Sequence, residues 1–355
     1  MLLFRYITNH YLKYFLVILL ALIAFMVGFD YMANSDRLPD SANLVVLYLM
    51  YKSFFAVDMM APLSLVFAMI ATKVFLIRSN ALVAFYALGY TKTDILKPFV
   101  TVSTFLIVGY IALHATSFAR ADEFANNIKA TSQDLQPTEN LFFTFSDQYV
   151  YFGQLYPLQQ RAEDVRIFHM KGNTLQEVIV AKDAKYIDGY WHINDARLIR
   201  KPSDPKIGGK GITIEEQRDF KVLKDFKPKI LDQVFEGEVN YTIVDALDAL
   251  NLLTKQNVNI DRIKSSLYKS FVHPLFVPCL IIIIFFFVPI SSRFLNLSLF
   301  SFGAILSTLI VWSILFAMIQ LSNSKTLSGE IGIIMPVVLL YITAFIFWRR
   351  YNATA

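Results

Sequence analysis

The chain has 355 residues, of which 55% are hydrophobic and 17% are charged, and its formal net charge is +5. Soluble domains carry about 25% charged residues, so this composition excludes an ordinary soluble protein and predicts a membrane protein. The single cysteine, Cys279, excludes a disulfide framework and a metal site built from cysteines.

Six stretches of low charge are predicted to cross a membrane, each needing roughly 20 residues as a helix. The first is interpreted as an uncleaved span, because no small-x-small signal-peptidase site follows it. The second is the weakest, since Asp58 and Lys73 interrupt it, and both charges are expected near the membrane interfaces. In chain order the predicted spans are residues 14–29, 53–77, 98–119, 270–292, 294–324 and 331–348.

A short apolar segment lies between the second and third predicted spans, in SNALVAFYALGYTKTDILKP, residues 79–98. Its eight consecutive apolar residues, 81–88, would form a helix of about 12 Å, which is too short to span. Gly89 predicts the end of that helix, and TKTD at 91–94 predicts a capping box that opens the next one. The segment is either a docking helix for a partner or an interfacial helix without one, and the residues alone leave both open.

Basic residues are distributed unequally between the two membrane margins. Nine lie on the side that holds both termini, whereas the short loops opposite hold three. The positive-inside rule therefore places the termini and the 79–98 segment in the cytoplasm. The long insert, residues 120–269, then lies on the periplasmic side, and its 21 basic and 22 acidic residues leave no basic face for nucleic acid.

The insert alternates apolar and polar residues with the period of two that is typical of strands, and KGN, DGY and PSDPKIGGKG mark turns between them. This pattern predicts a β-sandwich or jelly roll. The domain is either a folded core only, or an open sandwich that holds an acyl chain or pairs its edge with another sheet. The following residues predict an amphipathic helix, with Thr242 and Asp245 as a capping box, then a turn near Asn257 and a helix that enters the membrane.

The predicted fold is thus an α-helical membrane protein with six transmembrane helices and an inserted extracytoplasmic, all-β, jellyroll-like domain. Its domains are residues 1–119 with spans one to three, residues 120–240 with the β-domain, and residues 241–355 with a connecting helix and spans four to six.

The sequence contains no motif for a nucleophile, a metal site or a phosphate-binding loop, so neither an enzyme nor a cofactor is predicted. His114 and His273 fall in predicted spans and are interpreted as histidines at a helix end or hydrogen-bonded between helices, although polar groups within a membrane can also be functional. Asp58 is expected to face water or to pair with a base such as Lys52, and a proton relay is the alternative.

Several stretches resemble one known family. RSNALVAFYALGYTKTDILKP resembles the coupling-helix region of the LptF/LptG (YjgP/YjgQ) permeases. DYMANSDRLP, KYIDGYWHINDARL and the segment from VDALDALNLL to FFFVPISSR are similar to the family's start, its β-jellyroll and its entry into span four. The resemblance covers essentially the whole chain, and the opening and coupling regions look more like LptG than LptF.

The resemblance implies a half-permease of the inner-membrane lipopolysaccharide exporter, which serves outer-membrane biogenesis. Its implied partners are a second permease subunit of the family, a cytoplasmic ABC ATPase dimer that binds the ATP, and periplasmic bridge proteins of the LptC/LptA jellyroll type. A membrane-anchored scaffold that binds a periplasmic partner without transport is the alternative.

The resemblance also implies site residues. The family usually has an acidic residue where this chain has Ala81, so an apolar docking contact is expected in place of a salt bridge. The predicted coupling residues are Asn80, Ala81, Ala84, Phe85, Leu88, Gly89 and Tyr90, with Phe85 expected to contribute most. The family's lysine near the outer end of span one is missing here. Arg37 and Lys52, with Phe54 and Phe55, are therefore predicted to meet the lipid, unless the two cations are ordinary interfacial anchors.

Overall fold

The computed structural model describes residues 2–129, 138–145, 148–156, 159–171, 174–202, 211–224, 241–253, 261–287, 296–324 and 326–352. Its contacts divide the chain into two compact units. The first, called the helical unit, comprises Met1–Thr131, Asn240–Ala246 and Asp261–Ala355. The second, called the β unit, comprises Ser132–Val239 and Leu247–Ile260.

Helices account for most of the helical unit. Within the described ranges they are α1 Leu2–Asn34, α2 Ala42–Arg78, α3 Ala81–Ala87, α4 Lys92–Leu113, α5 Ala121–Lys129, α6 Ile243–Leu253, α7 Asp261–Phe271, α8 Phe276–Phe287, α9 Leu297–Asn323 and α10 Met335–Asn352. Short turns Ser35–Arg37, Ser117–Arg120 and His273–Leu275 are 3₁₀-helical, and Glu330–Ile334 is π-helical.

Six helical stretches in the described part of the chain are long and apolar enough to cross a membrane. They are Leu2–Arg37, Ala42–Arg78, Lys92–Leu113, Ile263–Phe287, Leu297–Asn323 and Glu330–Arg350. The six predicted spans are therefore confirmed. α1 extends beyond its predicted span at both ends, whereas α2 begins eleven residues before its predicted span and ends one residue after it.

Local capping explains where α4 and α9 begin. The Thr91 hydroxyl accepts a hydrogen bond from the Asp94 amide at 3.2 Å, and the Thr91 amide donates to the Asp94 carboxylate at 3.1 Å. This is the predicted capping box, which satisfies two amides that a helix start leaves unpaired. Asn296 caps α9 by accepting from the amide of Ser298 at 3.1 Å.

A continuous apolar core joins the helices of the helical unit, and aromatic side chains fill its centre. Tyr11 on α1 is fully buried against Phe99 on α4, with 5.2 Å between ring centroids. Its hydroxyl donates to the Leu65 carbonyl on α2 at 3.0 Å, so this buried polar group is paired. Phe99 also contacts Phe285 on α8, which ties both halves of the sequence into one core.

The β unit contains one antiparallel sheet whose strands lie in sequence order. The strands are β1 Thr138–Phe145, β2 Gln148–Tyr156, β3 Arg161–Lys171, β4 Thr174–Ile187, β5 Tyr190–Arg200 and β6 Thr213–Val222. Trp191, Ile193 and Phe152 are fully buried on one face, as the alternating pattern predicts. Asp188 and Gly189, both with positive φ, form the two-residue β4–β5 turn that the DGY motif indicates.

The inserted all-β region is thereby confirmed. Its described strands form a single open sheet, with β1 and β6 at the edges, instead of two stacked sheets. The glycine-rich segment 203–210 and the residues near Asn257, where a turn is predicted, lie outside the described residues.

Candidate coupling helix and polar sites

The short helix α3 forms in the predicted place between α2 and α4. Asn80 precedes it in the left-handed conformation, with φ 57°, which asparagine tolerates better than most residues. Two residues, 79 and 80, separate α3 from α2, and Leu82 on α3 is completely buried in the core of the helical unit. The helix is therefore fixed to the bundle at its first turn.

Gly89 ends α3 through a Schellman motif. The Gly89 amide donates to the Tyr86 carbonyl at 3.0 Å, and the Tyr90 amide donates to the Phe85 carbonyl at 3.1 Å. Gly89 has φ +87°, a conformation that other residues rarely adopt. The Phe85 and Tyr90 rings meet edge to face, with centroids 6.4 Å apart, which is the apolar contact that accompanies this motif.

One face of α3 packs on the bundle. Phe85 is half-buried and contacts Tyr6 of α1 with ring centroids 6.0 Å apart. Tyr86 is also half-buried, and burial raises the pKa of its hydroxyl to about 12, so this side chain is neutral at physiological pH. Phe85, predicted as the main docking residue, thus contributes much of its surface to intramolecular packing.

The opposite face of α3 is exposed and apolar. Leu88, with 74% of its surface exposed, is its most prominent side chain. Of the predicted coupling residues, the structure exposes Asn80, Ala84, Leu88, Gly89 and Tyr90 and leaves Ala81 and Phe85 half-buried. Sequence reasoning missed Val83 and Ala87, which complete this face. Their i, i+4 spacing to one another, with Leu82 as the buried residue, is the signal that would have identified them.

The residues predicted to meet a lipid differ in their accessibility. Arg37, in the turn after α1, is exposed, and Phe54 on α2 is 41% exposed. Phe55 is half-buried. The Lys52 side chain is only 11% exposed and lies at the centre of a network of ion pairs.

The Lys52 network joins three helices. Its ammonium lies 2.7 Å from the Asp122 carboxylate on α5 and 3.7 Å from that of Asp30 on α1. The Tyr48 hydroxyl donates to Asp30 as well. With two carboxylates around one ammonium, the network carries a net negative charge, which disfavours an approaching phosphate.

Asp58 lies in a second polar cluster. Its carboxylate accepts a hydrogen bond from the hydroxyl of Tyr110 on α4 at 2.5 Å and lies 2.8 Å from Nε2 of His114, the C-cap residue of that helix. The expectation that Asp58 pairs with Lys52 is therefore corrected, because each has a nearer partner on a different helix. The interpretation of His114 as a histidine hydrogen-bonded between helices is confirmed.

A small cavity adjoins this cluster. Its volume is about 60 Å³, enough for a few water molecules, and Asp58, Lys269 and His273 are among its lining residues. His273 Nε2 is buried and makes no hydrogen bond to any residue that the structure describes. A buried polar atom of this kind normally has a partner, so the cavity provides a place for water.

Lys73, which the sequence predicts to lie near a membrane interface, is the third charge on α2 and is buried, with 2% exposure. Its ammonium donates to the carbonyl of Phe285 and lies 3.6 Å from the centroid of that ring. Phe285 belongs to the last turn of α8, whose carbonyls lack helical partners and carry the negative end of the helix dipole. Lys73 thus caps α8 from a neighbouring helix.

None of the described side chains forms a cluster of three or more histidines, cysteines or carboxylates that could hold a metal ion. The polar clusters above are pairs and triads that connect helices. Their arrangement suits stabilisation of a helical bundle, and their donors and acceptors bind one another.

Six membrane-spanning helices with an inserted antiparallel β unit define an integral, multi-pass membrane protein. The model of the family described as lipopolysaccharide export system permease LptF/LptG matches residues 5–350. The chain belongs to this family, which confirms the resemblance. A comparison with curated proteins gives no match. Membership makes the chain an inner-membrane permease component of lipopolysaccharide export, which is not an enzyme by itself.

Proposed function

We propose that this chain is one of two paired permease subunits of an ABC-type exporter that extracts lipopolysaccharide from the inner membrane, with a separate cytoplasmic ATPase supplying the energy. The observation that carries this proposal is the exposed apolar face of α3, formed by Val83, Ala84, Ala87 and Leu88. A span-to-span connection exposed to water has no need of such a face, whereas a docking helix for a motor protein does.

The way α3 is held supports its role in transmitting force. Leu82 anchors its first turn in the core, and the Schellman motif at Gly89 fixes its last turn. α4 begins three residues later, at Lys92. A displacement of α3 by an ATPase is therefore passed to α2 and α4 without being absorbed by a flexible linker.

The proposal also assigns an orientation in the membrane and the remaining partners. The termini and α3 face the cytoplasm, the β unit faces the periplasm, and ATP is bound only by the partner ATPase. The open edges β1 and β6 are suited to pairing with the sheet of a periplasmic bridge protein of the LptC/LptA type. Within the paired permease this chain takes the LptG-like position.

For the lipid, we propose that Arg37 and Phe54 make the contacts at the outer end of the first two spans. Both are exposed, and an arginine binds phosphate bidentately. Phe55 lies beside them, half-buried. Lys52 is less suited to bind the lipid phosphate, because its ammonium already pairs with two carboxylates.

The test of the docking face is co-purification of the full chain with the cytoplasmic ABC ATPase of the same cells. Leu88→Glu places a charge at the C-terminal end of the apolar face, on its most prominent side chain, and is expected to abolish co-purification, because a buried unpaired carboxylate opposes docking. Ile187→Glu, the same type of change at an exposed aliphatic residue of the β unit, is the control and should retain the ATPase.

Two results would contradict the proposal. One is failure of the wild-type chain to retain any ATPase. The other is equal recovery with wild type and Leu88→Glu, which would favour the scaffold alternative.

A further inference from the structure

A second apolar surface of the helical unit lies away from the coupling face, in a groove between α4, α8 and α10. The groove has a volume of about 290 Å³. It is lined by Thr93, Leu96, Lys97, Val100, Ile282, Tyr341, Ala344, Phe345 and Trp348.

The dimensions of the groove match part of an acyl chain. Thr93 to Val100 on α4 and Tyr341 to Trp348 on α10 each cover seven helical steps, which correspond to about 10 Å along the helix axes. This length is roughly a third of the hydrocarbon core of a bilayer. Because α4 begins and α10 ends at this place, the groove opens at the end of the bundle that carries α3 and extends toward the membrane centre.

The charges at this end of the groove are mainly positive. Lys97 lines the groove and is exposed. Arg349 and Arg350 follow Trp348 in the last turn of α10. Asp94 lies 2.8 Å from the Lys97 ammonium, but this pair is exposed and so binds weakly. Lys97 and Arg349 thus provide two exposed cations at the mouth of an apolar channel.

We propose that this groove binds an anionic phospholipid, with one acyl chain between α4 and α10 and the phosphate at Lys97 and Arg349. Basic residues at the membrane margin beside a gap between helices are the arrangement that selects acidic lipids. Trp348 directly precedes Arg349 and Arg350 near the end of α10, and tryptophan is a residue type enriched at membrane interfaces. A second protein chain of the same plan is a poorer occupant, since it brings its own basic margin to this end. The lipid is a bound component, separate from the lipopolysaccharide that is exported.

The experiment uses the full chain in phosphatidylcholine nanodiscs that contain a few per cent of phosphatidylglycerol with a photoreactive acyl chain. After irradiation, mass spectrometry maps the labelled peptides. Labelling is expected to concentrate on α4, α8 and α10, and unlabelled phosphatidylglycerol should compete at least tenfold better than phosphatidylcholine. The double variant K97E/R349E should reduce labelling by about fivefold per cation. Arg5→Glu reverses an exposed cation on α1 and should leave labelling unchanged.

Several outcomes would overturn the inference. They are labelling spread evenly over the six spans, equal competition by the two lipids, and unchanged labelling of the double variant. A photoreactive residue in place of Phe345 that crosslinks to a second protein chain instead of lipid would show that a subunit covers the groove. Both altered cations are exposed, so K97E/R349E should keep the melting temperature of wild type. This measurement shows that a loss of labelling does not come from unfolding.

Discussion

Three charged side chains of α2 are buried or nearly so, and each is bound by a group on another helix. Lys52 pairs with Asp122 on α5, Asp58 with His114 at the C-terminal end of α4, and Lys73 with the Phe285 carbonyl on α8. An unpaired charge in a membrane costs several kcal/mol, so such residues persist only with partners. Polar contacts from α2 therefore connect it to α5, to the end of α4 and to α8.

The difference in burial between Lys52 and Arg37 gives a test of the roles of these two residues. Lys52→Met should lower the free energy of unfolding by about 1–3 kcal/mol, because it leaves two partly buried carboxylates without their cation. Arg37→Glu should change it by no more than about 0.5 kcal/mol, as is usual for an exposed residue. Thermal unfolding in detergent measures both.

For lipid binding the expected order is reversed: Arg37→Glu is the variant that should be affected, and Lys52→Met is the one that should not. Lipopolysaccharide that co-purifies with the chain should decrease for Arg37→Glu and persist for Lys52→Met. Full stability of Lys52→Met, or undiminished lipid in Arg37→Glu, would contradict the assignment of roles.

The charges on α2 can be read from the sequence, but their partners cannot. Lys52 and Asp122 are 70 residues apart, and Lys73 and Phe285 are 212 apart. No local pattern encodes pairs of such separation. The sequence therefore predicts that Asp58 faces water or pairs with a base, and offers Lys52 as one such base, whereas the fold pairs Asp58 with His114 and Lys52 with Asp122.

At the scale of elements, α3 was predictable because its ends are set by neighbouring residues. Gly89 and the TKTD capping box act over a few positions, so sequence alone locates both boundaries. Which face is buried depends on α1 and α2 packing beneath it. That is why the sequence alone does not show that Phe85 is half-buried, or that Val83 and Ala87 lie on the exposed face.

The helix stop at Gly89 can be tested directly. A Cβ at this position would meet nothing within 4 Å, so Gly89→Ala adds only the conformational cost of a positive φ, about 1–2 kcal/mol. The strain should disturb the last turn of α3 and weaken ATPase binding by about fivefold or more. Titration of the ATPase against the purified permease measures this change.

Gly109→Ala is the matched control, because it also has open space and lies within α4 at an ordinary φ. It should bind the ATPase like wild type. Identical affinity of both variants would show that the conformation of Gly89 is unimportant for docking.

The strands of the β unit show the same division between local and long-range information. The DGY turn predicts the β4–β5 hairpin, since a two-residue turn of this kind requires positive φ at both positions. Whether six strands form one sheet or two depends on contacts across the domain. Alternation of apolar residues is equally compatible with both.

For the whole molecule, composition and charge distribution were sufficient to predict six spans with an inserted β-domain. Spans are recognisable because each must be apolar over about 20 residues, whatever its neighbours are. The groove between α4, α8 and α10 was not predictable, since its lining residues come from three distant parts of the chain.

The most direct test of the proposed function is ATP-dependent transfer of lipopolysaccharide. Proteoliposomes would contain the full chain, its paired subunit and the ATPase, and a soluble jellyroll protein would serve as the acceptor. Wild type is expected to transfer lipid only with hydrolysable ATP, and Leu88→Glu is expected to transfer none. Transfer by Leu88→Glu at the wild-type rate, or no ATP-dependent transfer by wild type, would contradict a permease driven through α3.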